Sequence, residues 1–196
     1  LFSADMVRAI LDGRKTVTRR VVKPQPKGRL VPMGNNSCWP GYFAIQGTEN
    51  VICPPYHPSD NLWVRETWQV ARGGGYIYKA DTIGSHDLFI SPDGRVVNDI
   101  PWRPSIHMPR EAARIFLEVK EVRAERLQDI TPEDIRAEGV IGRHFPAATC
   151  GAFAALWDST IKPAARSIYG WEASPWVWVI SFKWINRPPE GEEEKT

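Results

Sequence analysis

Gly13-Arg14-Lys15-Thr16-Val17-Thr18-Arg19-Arg20 is the stretch on which the reading of this chain turns, because two backbone periods meet inside it. Upstream, Met6, Val7, Ile10 and Leu11 recur at helical spacing, with Ser3 or Asp5 placed to cap the first turn. Gly13 stands where such a helix ends, since glycine enters the left-handed conformation cheaply. Downstream, Thr18 to Val22 reads as a strand. Lys15 and Thr18 share a side only in a turn or helix end, whereas Thr18 and Arg20 share one only in a strand. A helix ending at Gly13 and a strand starting near Thr18 satisfies both. Lys15, Thr18 and Arg20 then converge on one pocket, while Arg19 points elsewhere. A basic helix-to-strand connection with no site would carry the same residues.

Working outward, Leu1 and Phe2 close a first strand, and Lys23 to Gly47, rich in Pro, Gly and Asn, reads as an irregular surface loop. Leu62 to Trp68 alternates as a strand and Tyr76 to Lys79 as a shorter one. The segment 81–104 has no clear period and reads as an excursion, a candidate lid, with a turn at Pro92-Asp93-Gly94. Arg114 to Val122 is a half-buried strand, with Ile115, Leu117 and Val119 set against Phe116, Glu118 and Lys120. Thr131-Pro132-Glu133-Asp134 starts a helix that stops near Gly139, and Thr149 to Asp158 forms another that buries Phe153, Leu156 and Trp157. Trp176 to Ile185 is almost continuously apolar and reads as a strand covered on both faces. The class is α+β, with short strands able to curl into a small barrel. We expect a single domain over 1–187, followed by a disordered acidic tail at 188–196.

Composition agrees with a folded globule: 196 residues, nine Trp, and seventeen Pro and fifteen Gly that favour turns and short strands. The net charge is only +2 but unevenly spread. From Gly13 to Thr48 there is no acid, while Arg14, Lys15, Arg19, Arg20, Lys23, Lys27 and Arg29 all fall there. The last seven residues hold four Glu and one Lys, which leaves +5 on the rest. That balance suits an anionic partner such as RNA, DNA or a nucleotide, or a solvated basic face. Cys38, Cys53 and Cys150 read as reduced thiols in a cytoplasmic protein. Cys38, Cys53 and His57 lack a fourth ligand at a usual spacing, so no metal is expected. No apolar run is long enough to span a membrane.

In the second informative stretch, Leu62-Trp63-Val64-Arg65-Glu66-Thr67-Trp68, alternation sets Leu62, Val64, Glu66 and Trp68 on one face and Trp63, Arg65 and Thr67 on the other. A carboxylate on an apolar face must be paired, hydrogen-bonded or protonated. Glu66 is then either half of a structural ion pair, with Lys15, Arg20 or another base, or a cleft carboxylate of tuned pKa beside aromatics that can stack on a base.

Gly-x-Lys-x-x-Thr-x-Arg is the hallmark of the ASCH superfamily, and Gly13, Lys15, Thr18 and Arg20 match it at all four positions. Leu62 to Trp68 resembles the strand that follows the family's turn. Trp102 to Arg110, Leu127 to Asp134, Leu156 to Ser159 and Pro175 to Ile180 resemble a branch common in phages and prophages. The resemblance implies a PUA-like fold, a small, partly open β-barrel with short helices at its rim, and a cleft for RNA or a nucleoside. One branch of the family hydrolyses N(4)-acetylcytidine to cytidine and acetate. By that resemblance Lys15 is the base, Thr18 the nucleophile and Glu66 the proton donor of an amidohydrolase that needs no cofactor. Gly13, Arg20, Arg65, Trp63, Trp68 and His107 are the expected substrate contacts. The rival expectations are a non-catalytic RNA-binding module, with the basic stretch on phosphates and Trp63, Trp68 or Tyr76 stacked on bases, and a ribonuclease using the same cleft.

Overall fold

Where the basic stretch begins, the backbone changes from helix to strand. The computed structural model describes residues 2–34, 36–71, 73–82, 89–90, 94–97, 100–140, 150–188 and 194–195. In chain order the elements are α1 (Ala4–Leu11), β1 (Val17–Val21), β2 (Leu30–Pro32), β3 (Phe43–Ile45), β4 (Val51–Ile52), β5 (Asn61–Trp63), β6 (Trp68–Val70), β7 (Tyr76–Tyr78), β8 (Phe89–Ile90) and β9 (Val96–Val97). There follow β10 (Phe116–Arg126), α2 (Pro132–Ala137), α3 (Cys150–Thr160), α4 (Arg166–Tyr169), β11 (Trp176–Ile185) and β12 (Glu194–Lys195). The fold is mixed α/β, with largely antiparallel strands and a few short helices.

Two compact units share the chain. The first takes Leu1–Gly13, Asn61–Leu117 and Trp184–Thr196; the second takes Arg14–Asp60 and Glu118–Lys183. In the second unit the strand order is β1-β11-β10, and β1 runs antiparallel to β11 from Val17↔Ser181 to Val21↔Val177. Its core gathers Val17, Val177 and Val179 from these strands, Leu127, Ile130 and Ile135 around α2, and Phe153 and Trp157 from α3. Helix α2 starts where the sequence says it should. Thr131 caps it, its side chain accepting the Asp134 N–H at 3.1 Å, with Pro132 in the first turn. A separate antiparallel sheet, β2-β3-β4, has its first two strands inside the Lys23–Gly47 segment expected to be an irregular loop and its third just after it. The strands there are three, three and two residues long, too short to show a period between their glycines and prolines.

In the first unit, Ser3 caps α1 and Gly13 closes it at φ +70°, the conformation that favours glycine. Strand β5 lies between the start of β10 and β12 in the strand order, and β12 runs parallel to it. Its core is Trp68, Met108, Ala112, Ala113 and Phe116, with Trp63, Tyr76 and Tyr78 packed against it. Phe116 is buried as deeply as its neighbours Ile115 and Leu117, so the start of β10 is covered on both faces rather than one.

Two other expectations are modified, and others fall largely outside the described residues. Phe2 is not in a strand. The strand expected over 62–68 breaks into β5 and β6, yet Val64, Glu66 and Trp68 are all buried, so the alternation in burial survives. The acidic tail lies mostly outside the described residues, as do much of the 81–104 excursion and two residues of its expected turn. Among the described residues, no helix is long and apolar enough to cross a membrane.

Candidate functional site

Strand alternation along β1 divides the basic motif. Val17, Arg19 and Val21 face the core of the second unit, and Thr18 and Arg20 face the other way, Thr18 partly buried and Arg20 exposed. Lys15 goes with Arg19. It is 2 % exposed, and its ammonium donates to Val17 O at 2.8 Å, Glu138 O at 3.0 Å and Glu138 Oε2 at 2.6 Å. Three acceptors match the three N–H bonds of an ammonium. The path of the chain brings them together: Thr16 N–H donates to Ala137 O at 2.8 Å, and Lys15 bridges to Glu138 at the end of α2.

Arg19, 4 % exposed, is the centre of the cluster. Its Nη1 reaches Glu138 Oε1 at 3.3 Å, and its Nη2 reaches Glu125 Oε1 at 2.6 Å and Asp134 Oδ2 at 2.8 Å. Arg123 closes the ring on Glu125 and Asp134. Three cations thus meet three carboxylates, which is how buried charge becomes tolerable. The expectation that Lys15, Thr18 and Arg20 converge on one pocket while Arg19 points elsewhere is therefore corrected: Lys15 and Arg19 share one carboxylate, and Thr18 and Arg20 lie on the opposite face of β1. Asp134 of α2 and Glu138, the residue that caps its C-terminal end, stand four apart, a spacing that puts both on one helix face and was visible in the sequence. Burial pulls the Lys15 pKa below its ordinary value of 10.5, against the opposing pull of Glu138, and Arg20 and Arg19 add to the lowering.

In the first unit Glu66, 1 % exposed, takes the structural-pair arrangement, with a base other than Lys15 or Arg20. Arg114 Nε meets its Oε1 at 2.8 Å and Nη2 its Oε2 at 2.9 Å, a two-pronged pairing. Asp81 takes the outer side of the same guanidinium, with two bonds of 2.8 Å, and the Tyr78 ring lies 3.9 Å beneath it. Burial pushes the Glu66 carboxyl above its ordinary value of 4.5, with Arg114 pulling the other way. Burial also works against the charge of Arg114, but its bonds to Glu66 and Asp81 outweigh this and hold its pKa above the usual arginine value.

The remaining expected contacts fall in the first unit with different surroundings. Arg65 stacks on Trp63 at 4.7 Å and donates to Ile106 O, while His107 is exposed. Trp68 is a core residue, edge-on to Tyr76 and covered by Arg103 at 5.2 Å. Lys15, Thr18 and Arg20 belong to the second unit, and Gly13, Trp63, Arg65, Glu66, Trp68 and His107 to the first. Cys38 and Cys53 are exposed thiols.

No protein-family model matches this chain, nor does any curated protein or solved structure.

Proposed function

We propose that this chain is an ASCH-type protein that binds RNA, or a nucleoside from it, through the basic stretch of its second unit. One observation carries the reading: the cations of that stretch are sorted. Lys15 and Arg19 are buried on carboxylates, while Arg14, Arg20, Lys23, Lys27 and Arg29 are exposed. No acid stands among them from Gly13 to Thr48. Exposed cations concentrated in an acid-free stretch favour a polyanion, and phosphate contacts release counterions. The test is a titration of a labelled single-stranded RNA at two salt concentrations. Each phosphate contact contributes about −0.7 to the slope of log affinity against log salt, so five cations predict a slope of about −3.5. Absence of binding, or binding indifferent to salt, removes the reading.

A second reading, amidohydrolysis of N(4)-acetylcytidine, is favoured by the depressed pKa of Lys15, three residues before Thr18. A lysine acts as a base only when its proton can leave, and Glu138 Oε2 at 2.6 Å is a group that can receive it. The family resemblance then has Lys15 take the Thr18 hydroxyl proton as Thr18 Oγ1 bonds to the acetyl carbon, a step that requires the Lys15 amine to leave Glu138, because Thr18 faces the other side of β1. The bond from that carbon to N(4) breaks as the proton taken from Thr18 passes from Lys15 to the leaving nitrogen. Water then releases acetate from the threonine. Incubation with N(4)-acetylcytidine, followed by chromatography, should show cytidine with the native chain and a loss of at least about 100-fold with Thr18→Ala. Turnover retained in that variant discards Thr18 as nucleophile.

A further inference from the structure

We propose that the outer face of the β2-β3-β4 sheet stacks the bases of single-stranded RNA, with Trp39 and Tyr42 supplying the rings. This rests on the RNA-binding reading and gives it a contact region outside the Lys15 motif. Cross-strand partners share a sheet face. Pro32↔Phe43↔Ile52 therefore lie on one side, where Phe43 is buried edge-on against Trp178 at 5.0 Å. Val31↔Ala44↔Val51 lie on the other side, and both valines are exposed. Tyr42, two residues before Ala44, continues this outer face, and the Met33 N–H donates to Tyr42 O at 2.8 Å to prolong the pairing.

Beside the face stands a row of rings. Trp39 is 52 % exposed, with its ring 5.6 Å from that of Tyr42, which in turn lies 6.2 Å from His57. Two local devices hold His57. Its backbone N–H donates to Asp60 Oδ2 at 2.7 Å, and Gly41 leaves its ring room, since a Cβ there would come within 3.2 Å of Cδ2. An exposed tryptophan against Tyr42, whose own face carries two exposed valines, makes an apolar surface of the kind that binding sites use.

Charge selects the occupant. Arg29 stands two residues before Val31, so it shares the outer face, and exposed Lys27 precedes it. Glu49, in the turn between β3 and β4, is the single acid from Gly13 to Ser59. Rings flanked by cations are the two components of a single-strand binder: bases stack on the rings and phosphates lie on the cations.

The experiment is a fluorescence-anisotropy titration of an unstructured, mixed-sequence RNA 12-mer with the full chain, Trp39→Leu and Tyr42→Leu, each at two salt concentrations. Leucine keeps apolar bulk and removes the π-face. Both variants should bind about 5- to 150-fold more weakly, with the salt slope unchanged because stacking releases no counterions. Native affinity in both variants overturns the stacking surface and leaves the RNA-binding reading intact. Failure of the native chain to bind RNA at all overturns both. Sedimentation provides a further check: if the native chain is a dimer that Trp39→Leu makes monomeric, with RNA affinity untouched, the face belongs to a second copy and the proposal falls.

Discussion

Arg19 and Arg20 are chemically identical neighbours with opposite environments. Arg19 touches three carboxylates, so Arg19→Met leaves Glu125, Asp134 and Glu138 to Lys15 and Arg123 alone. Stranding buried charge in this way costs about 3–5 kcal/mol. Arg20→Met, on the exposed face, should change stability by less than about 0.5 kcal/mol and weaken RNA binding instead. Urea unfolding of both variants checks the contrast, and equal losses would contradict it. Glu66 supplies the pH-dependent case. With Arg114→Leu its carboxylate is buried without its base, at a cost of about 3 kcal/mol near neutrality. A carboxyl whose folded pKa is raised contributes stability that is present below its ordinary value of 4.5 and lost as pH rises through the folded pKa. The deficit of Arg114→Leu should therefore shrink on acidification from about pH 7 towards 4, as urea midpoints relative to the native chain would reveal.

Among the elements, α2 does two jobs with six residues: it presents Asp134 to Arg19 and ends where Glu138 meets Lys15. Its start depends on the Thr131 side chain, so Thr131→Ala should cost about 1 kcal/mol and loosen the carboxylates as well. Thermal denaturation measures the first effect, and a shift in the titration of Lys15, followed by NMR of its side chain, measures the second. This helix was legible in the sequence because capping is local. Strand β11 was legible because its ten residues are mostly apolar and rich in Trp, Val and Ile, which suit a pleated surface buried on both sides. The β2-β3-β4 sheet was not, since strands this short carry no period and are stabilised by partners outside the segment. The candidate site divides in the same way. Burial of Glu66 followed from alternation with Val64 and Trp68, but Arg114 lies 48 positions away and Glu138 lies 123 from Lys15. Such pairings are set by tertiary structure, and one sequence gives no signal for them.

For the whole molecule, a net charge of +2 conceals a basic stretch and an acidic terminus. Replacing Glu190, Glu192 and Glu193 by Gln removes three negative charges and raises the net charge to +5, leaving Glu194 and Lys195 of β12 in place. RNA affinity should rise severalfold at low salt and converge with the native value at high salt, where the Debye length shrinks to a few ångströms; a gap that persists at high salt would point to contact rather than field. The two units, finally, are interleaved along the chain, one built from three stretches and the other from two. The polypeptide crosses from one to the other four times, twice within the long strands β10 and β11. A protease that nicks the crossing at 60/61 or at 117/118 therefore leaves parts of both units on each fragment, a nick at 13/14 or 183/184 removes a terminal piece of the first unit only, and neither unit can be expressed alone by trimming the gene from its ends. Any shuffling of this architecture between proteins must move the chain as a whole.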